Sequence, residues 1–141
     1  MNCEAIVARV AEAKSQRDLP QLLQDLVSLD PHLLFKALFP IATKRQGVEN
    51  GPVAFSAYAL YNLDPLCDIA AEDAIQMLIR NEWDISIEEV PWYLTNQFGY
   101  ECVKQCVQDL QRTMTDDEAC VRLRTILYWS ALTPDRGRTR R

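Results

Sequence analysis

The stretch PVAFSAYALYNL, residues 52–63, decides the fold class of this chain. Ser56 and Asn62 are its only polar side chains, so a helix built on it has apolar residues on every side. A helix that is apolar all round is a buried one, and Pro52 suits the first position of a helix. The sequence therefore predicts a central helix here, with amphipathic helices packed around it.

Helical signals continue on both sides of this stretch. No segment alternates polar and apolar residues as a half-buried strand does, and the chain has only four glycines. Instead, capping side chains precede a proline or a glutamate at several points, which is how helices begin. We expect helix starts at Asp18 before Pro20, Asp30 before Pro31, Asp64 before Pro65, Ser86 before Glu89, and Thr115 before Glu118.

Proline and glycine predict where two of these helices bend or end. Pro40 should bend or end the helix that starts at Pro31, and Gly99 should end the helix that starts at Ser86. Pro91 lies five residues after Ser86, so its missing N–H should remove one helical hydrogen bond. We therefore expect a kink near Pro91, with residues 86–90 forming a turn that leads into a helix regular from Pro91.

The tripeptide LDP at residues 29–31 returns at residues 63–65, a shift of 34 residues. A period near 34 is typical of helical-hairpin repeats. In outline, residues 19–112 resemble HEAT- and TPR-type repeats, although the TPR signature residues are absent. The resemblance implies an all-α fold of about eight short helices in antiparallel pairs, stacked as a small solenoid. An irregular helical bundle is the alternative.

Length and composition suit one soluble domain. The chain has 141 residues, of which 48% are hydrophobic and 25% charged, and no apolar run approaches the roughly 18 residues that span a bilayer. We therefore expect no membrane association. Five cysteines without a CxxC pair indicate reduced thiols and a cytoplasmic protein. We expect one all-helical domain at residues 1–132 and a flexible basic tail at residues 133–141.

Sequence motifs for catalysis are missing. The chain has no glycine-rich phosphate loop, HExxH, GxSxG or EF-hand loop, and His32 is its only histidine, with no readable partner. Asp68 and Glu72 are four residues apart, but the solvated edge of a helix explains that spacing. We therefore expect no cofactor, no metal site and no catalytic residues.

Charge is distributed unevenly along the chain. Residues 64–101 hold nine acidic side chains and one basic one, Arg80, a net charge of −8 in a chain of net charge −5. Such a segment argues against nucleic acid binding by the body of the protein and favours a basic protein partner. The hypothesis is a non-catalytic interaction module of the adaptor, inhibitor or immunity type, and solubility alone is the other explanation of the charge.

Aromatic residues lie among these acids, as they do at binding hot spots. Trp83 should lie partly exposed in the turn between two helices, whereas Trp92 shares a stripe with apolar residues and suits the core. Glu88 and Glu89 also have a structural explanation, because acids stabilise the first turn of a helix. The predicted partner-binding residues are Glu82, Trp83, Asp84, Glu88, Glu89 and Trp92.

Two alternatives use other parts of the chain. Phe55, Tyr58 and Tyr61, spaced three apart, would line a small-molecule or enzymatic pocket between helices, although such a stripe is more often core. The tail would associate with RNA through its charge. Its predicted contact residues are Arg136, Arg138, Arg140 and Arg141.

Overall fold

The computed structural model describes residues 1–45 and 51–135, which form eight α-helices and no strand. The predicted all-α fold is therefore confirmed. In the described part of the chain, no helix has both the length and the apolar character needed to cross a membrane. The helices are α1 (Cys3–Glu12), α2 (Leu19–Leu26), α3 (Pro31–Ala42), α4 (Gly51–Leu63), α5 (Ala71–Arg80), α6 (Glu89–Phe98), α7 (Tyr100–Gln111) and α8 (Asp117–Ala131), with a short 3-10 turn (Gln16–Asp18) before α2.

The helix expected at the centre of the fold, α4, does lie there. It contacts α1, α2, α3 and α6. Its small residues Ala57 and Ala59 are fully buried, so neighbouring helices approach its backbone closely, and Ser56 is buried with them. One continuous core connects side chains from α1 through to α8.

The remaining helices pack in a regular order. Helices two apart in the chain contact each other: α1 with α3, α2 with α4, α4 with α6, α5 with α7, and α6 with α8. These contacts are consistent with a helical bundle or stack. Most of the tail expected at residues 133–141 lies outside the described residues.

The predicted helix caps at Asp30, Asp18 and Thr115 have different outcomes. Asp30 caps α3 as expected, since its side chain accepts a hydrogen bond from the N–H of His32 at 3.0 Å. The side chain of Asp18 instead closes a capping box with Ser15 one turn earlier and makes no cap bond to α2. The cap of α8 is Asp116 rather than Thr115, because the Asp116 carboxylate accepts from the N–H of Ala119 at 2.9 Å.

The helix start predicted at Asp64 is wrong. Asp64 has φ 51° and ends α4, and its N–H donates to the carbonyl of Leu60 at 2.9 Å. This single bond from a left-handed residue is a common helix ending, and Pro65 comes next because it cannot continue the helix. Residues 64–70 then run without helix to Ala71. The two LDP tripeptides are therefore not equivalent, and Asp68 and Glu72 do not share a helix.

The start of α6 lies between the two positions that the sequence suggested, Ser86 and Pro91. The helix begins at Glu89, and the N–H of Ser86 is hydrogen-bonded to the carboxylate of Asp84 at 2.8 Å. Pro91 is consequently the third residue of α6, within the first turn, where backbone N–H groups have no helical acceptor. The expected cause of a kink is absent, because Pro91 removes no helical hydrogen bond.

Candidate functional site

The site begins at the end of α5, where the chain leaves the helix through a strained residue. The N–H of Trp83 donates to the carbonyl of Leu78 at 2.9 Å, and that of Glu82 to Ile79 at 3.2 Å. These two bonds form the Schellman ending, whose left-handed position is usually glycine. Here that position is Glu82, with φ 56°. A side chain is thus kept at a position where it strains the backbone, a feature that clusters at functional sites.

Trp83 was expected to be partly exposed, and this prediction is wrong: its side chain is fully buried. The Schellman ending turns the residue after the left-handed position back onto its own helix, so Trp83 packs into the core beside Leu78. The indole N–H donates to the carbonyl of Ile87 at 3.2 Å. Ile87 lies before α6, whose first helical bond runs from the N–H of Trp92 to the carbonyl of Glu88 at 3.1 Å, so the carbonyl of Ile87 accepts from the indole and not from a helical N–H.

The rest of the turn at residues 82–87 is fixed by its own side chains. Asp84 accepts hydrogen bonds from the N–H of Ser86 at 2.8 Å and from the Ser86 hydroxyl at 2.7 Å. The carbonyl of Asp84 accepts from the N–H of Ile87 at 3.0 Å. Such a turn, closed by an aspartate, lets the chain reverse direction before α6 begins.

Helix α8 holds the same turn from the other side. The Arg122 guanidinium donates to the carbonyl of Trp83 at 3.2 Å, and the Trp129 indole N–H donates to the carbonyl of Ile85 at 2.8 Å. Together with the indole of Trp83, these donors bind three alternate carbonyls of the turn, those of residues 83, 85 and 87. The turn is therefore anchored to α8 and presents a preformed surface beside it.

A groove of about 340 Å³ lies between the turn and α8. Ile85 on the turn and Val121 on α8 line it, and each leaves roughly two-fifths of its surface in solvent, at 41% and 38%. Trp83 forms part of the wall, but because it is fully buried it shapes the groove from beneath. The lining residues are Arg45, Glu82, Trp83, Asp84, Ile85, Glu118, Val121 and Arg122.

Three carboxylates and two guanidinium groups surround the apolar centre of the groove. Arg45 lies 3.7 Å from Glu82, and Arg122 lies 3.8 Å from Glu118 while also bonding to the turn. The side chain of Arg122 is only 18% exposed, so its charge is largely committed to internal partners. Asp84 is the third carboxylate of the rim.

The other predicted partner-binding residues lie outside the residues that line this groove. Glu88 and Glu89 stand at the start of α6, where burial raises the pKa of Glu89. Trp92 is half-buried, and its indole N–H donates to the carbonyl of Trp129 at 3.1 Å. Its ring lies between those of Trp129 and Tyr61, with centroids 6.3 and 5.4 Å away.

The aromatic residues proposed for an interhelical pocket are spread over different contacts. Phe55 and Tyr58 pack against the core, and Tyr61 contacts Trp92. None of the three lines the groove beside α8 or either of two further depressions, one near Gly51 and Pro52 and one between α5 and α7. The predicted RNA-contacting arginines at positions 136, 138, 140 and 141 lie outside the described residues.

A second polar cluster holds the extended segment at residues 64–70, and no sequence pattern predicts it. The buried hydroxyl of Tyr93 donates to the carbonyl of Pro65 at 2.7 Å. The amide of Gln97 donates to the Asp64 carboxylate at 2.8 Å and accepts from the N–H of Cys67 at 2.9 Å. Burial raises the pKa of both Tyr93 and Cys67. These groups are structural ties between α6 and the segment.

His32 has a partner in this segment that the sequence did not reveal. Its Nδ1 lies 2.8 Å from one Asp68 oxygen and 3.0 Å from the other. The hydrogen bond and the charge of Asp68 raise the pKa of His32. A separation of 36 residues, across the whole of α4, left no local signal of this pair.

Cysteines and carboxylates do not converge on a metal-binding cluster in residues 1–45 and 51–135. Cys102 and Cys106 face each other on α7, and burial together with Cys102 raises the pKa of Cys106 to about 11. A thiol with such a pKa is protonated at neutral pH and is a poor nucleophile. All five cysteines are free: Cys3, Cys67, Cys102, Cys106 and Cys120.

Comparison of the chain with models of protein families, with curated proteins and with solved structures gave no match. The function is therefore argued from the geometry of the groove.

Proposed function

We propose that this protein is a non-catalytic interaction module that binds a basic protein partner through the groove between the 82–87 turn and α8. The observation that carries the proposal is the composition of the groove, in which the exposed apolar side chains of Ile85 and Val121 lie inside a rim of charged side chains, two of which, Glu82 and Asp84, belong to the acidic segment at residues 64–101. An apolar centre within a polar rim is the usual anatomy of a protein interface.

Preorganisation supports this assignment. The carbonyls of Trp83, Ile85 and Ile87 are already hydrogen-bonded, so a partner need not order the turn when it binds. Binding to a fixed surface avoids part of the entropic cost of association. The strained backbone at Glu82 points the same way, since glycine at that position would relieve the strain but remove a rim carboxylate.

Charge defines the partner. Rim carboxylates at Glu82, Asp84 and Glu118 attract lysine and arginine side chains and speed their encounter. The free cysteines suit a reducing compartment, and we place the function in the cytoplasm.

The test is capture of partners from a native extract, followed by cross-linking and mass spectrometry, with charge-reversed variants. Glu82→Lys combined with Glu118→Lys reverses the groove rim. Glu72→Lys combined with Glu101→Lys changes the net charge equally at exposed acids that do not line the groove. This second pair is the matched control, because Glu72 and Glu101 belong to the same acidic segment at residues 64–101 as Glu82 but lie outside the groove.

We expect the groove variant to lose at least about tenfold of a captured basic protein while the control variant retains it. Raising the salt concentration should weaken the wild-type capture, because exposed charges are screened. Equal losses in both variants would show nonspecific charge attraction, and undiminished capture by the groove variant would reject the site.

A further inference from the structure

The five thiols fall into two groups by their hydrogen bonds. Three of them donate to backbone carbonyls at 4.0, 3.5 and 3.6 Å, those of Cys3, Cys67 and Cys120. Cys102 and Cys106 have no carbonyl acceptor within the part of the chain that the structure describes, and their side chains are hydrogen-bonded to each other. The three single thiols are therefore tied to the backbone, whereas the two on α7 form a pair.

The pair lies at the surface of a firmly packed helix. Cys102 is exposed and Cys106 is partly exposed, so a small ion can reach both sulfurs. Helix α7 contacts α5, α6 and α8, and Cys106 packs against the edge of the core. The backbone that carries the two thiols is thus held in place before any ligand binds. Neither cysteine lines the groove beside α8.

The spacing of the two cysteines favours a shared ion over a disulfide. Side chains four residues apart on a helix have Cβ atoms about 5–6 Å apart, whereas a disulfide needs about 3.8 Å. Two metal–sulfur bonds in a line separate the sulfurs by about 4.6 Å, if each has the length of a zinc–thiolate bond. The intact helix therefore holds the two sulfurs too far apart to bond directly and close enough to bind one ion.

The number of ligands identifies the class of ion. Residues 1–45 and 51–135 contain no group of three or more histidine, cysteine, aspartate or glutamate side chains placed to hold a metal. Structural zinc takes four such ligands, an iron–sulfur cluster takes four cysteines, and calcium and magnesium take oxygen ligands. Cu(I) is a soft ion that selects thiolates, and two of them in a line satisfy it.

Binding exchanges two protons for one ion. Each thiol releases its proton to solvent and each sulfur donates an electron pair to Cu(I), so nothing is oxidised or reduced and the occupied site carries one negative charge. Cys102 is the third residue of α7, and the N-cap residue Gly99 provides no side-chain hydrogen bond to the first turn. The positive end of the helix dipole therefore stabilises this charge.

From these features we infer that Cys102 and Cys106 form a two-thiolate site for one Cu(I) ion on the surface of α7. The inference is independent of the proposed function, because the pair and the groove share no residue. It revises the expectation that the chain has no metal site.

The experiment is an anaerobic titration of the full chain with Cu(I) in competition with bicinchoninate, whose Cu(I) complex is coloured. The wild-type chain should take one ion from the chelator. Cys102→Ser and Cys106→Ser should each lower the affinity at least about a hundredfold, more than the loss of an outer-shell partner costs. Cys3→Ser and Cys120→Ser also remove one thiol each, and they should leave the affinity unchanged.

A rearranged variant separates the spacing of the thiols from their number. Glu101→Cys combined with Cys102→Ser keeps all five thiols but moves the pair to a spacing of five residues, on different sides of the helix. It should bind Cu(I) as weakly as Cys102→Ser does. Both of its substitutions are at exposed positions, so circular dichroism should show the helix content of the wild type.

Several results would overturn the inference. Equal affinity in the rearranged variant, or an equal loss in Cys3→Ser or Cys120→Ser, would assign the ion to thiols in general. Failure of the wild-type chain to take Cu(I) from the chelator would reject the site. Light scattering that shows a dimer only with Cu(I), abolished by Cys102→Ser, would assign the ion to a bridge between two chains.

Discussion

Helices α4 and α5 both end at an acidic residue in the left-handed region, Asp64 with φ 51° and Glu82 with φ 56°. After α4, polar side chains of α6 hold an extended segment of seven residues against the surface. After α5, the burial of one indole fixes a shorter turn.

The difference shows that a left-handed ending does not by itself set the path of the next residues. Pro65 has no N–H and cannot close the second bond of a Schellman ending, so the chain leaves α4 extended and depends on distant donors. Trp83 has an N–H, closes that bond, and turns back into the core. The residue that follows the acid, Pro65 or Trp83, therefore decides whether an extended surface segment or a preformed groove follows the helix.

The largest loss of stability should come from removing the indole of Trp83, which fixes the turn after α5. Trp83→Ala should lower the free energy of unfolding by about 3–5 kcal/mol, since it empties a fully buried volume. Denaturant unfolding followed by circular dichroism measures this. A loss below about 1 kcal/mol, the range of surface substitutions, would contradict the role of Trp83 as the anchor.

A conservative substitution tests the hydrogen bond between the Trp83 indole and the carbonyl of Ile87. Trp83→Phe removes the indole N–H and should cost about 1–3 kcal/mol, because a buried carbonyl loses its donor. Denaturant unfolding measures this change in the free energy of unfolding. A cost below about 0.5 kcal/mol would show that the bond contributes little to stability.

Removing a hydrogen bond from the segment after α4 should cost less stability than removing the Trp83 indole. Tyr93→Phe keeps the buried ring but removes the hydroxyl that donates to Pro65, and should cost about 1–2 kcal/mol. Hydrogen exchange should report faster opening at residues 64–70 and unchanged protection at residues 82–87. Faster exchange in both regions would show that the two endings are not independent.

Glycine substitutions compare the two strained residues directly. Glu82→Gly should stabilise the protein by about 0.5–1 kcal/mol, because the relief of left-handed strain exceeds the greater backbone entropy lost by glycine. Asp64→Gly relieves similar strain but deletes the carboxylate bonded to Gln97, so its gain should be smaller or negative. Thermal unfolding of both variants measures the two changes in stability. A larger stabilisation by Asp64→Gly than by Glu82→Gly would contradict this prediction.

The smallest effect should be a pH dependence confined to the segment after α4. Asp68 raises the pKa of His32, so the protonated form stabilises the folded state. This contribution is fully present below the unfolded pKa of about 6.5 and is lost as pH rises through the higher folded pKa. The difference in Tm between wild type and His32→Gln should thus be larger near pH 5.5 than near pH 8.5.

The single histidine makes this test direct by NMR titration. Asp68→Asn should return the pKa of His32 toward its ordinary value. A wild-type pKa at or below about 6.5 would show that the pair does not form in solution.

Local sequence signals predicted much of the fold but less of the site. The buried α4, the cap at Asp30 and the glycine that ends α6 follow from composition and from side chains within a few residues. The helix starts predicted at Asp64 and Ser86 are wrong because the same aspartate or serine can start a helix or close the turn before one. Only the backbone dihedral angles and the partners of the N–H groups distinguish these cases.

The candidate site divides in the same way. Glu82 and Asp84 were predicted from the sequence and do line the groove, whereas Glu88, Glu89 and Trp92 were grouped with them only because they are near in the chain. The contributions of Arg45, Ile85, Glu118, Val121 and Arg122 were missed. The i,i+4 pair of Glu118 and Arg122 was the one readable signal, and it did not indicate a groove.

By itself the sequence determined that the chain is helical, which helix is central, and that acidic residues collect in one third of its length. Those properties depend on side-chain periodicity and on capping residues, which act over one or two helical turns. The tertiary structure decided that Trp83 is buried, that α8 anchors the 82–87 turn, and that His32 meets Asp68. Each of these depends on contacts between residues 36 to 44 positions apart or on the direction in which a strained residue turns the chain, and local pattern carries neither.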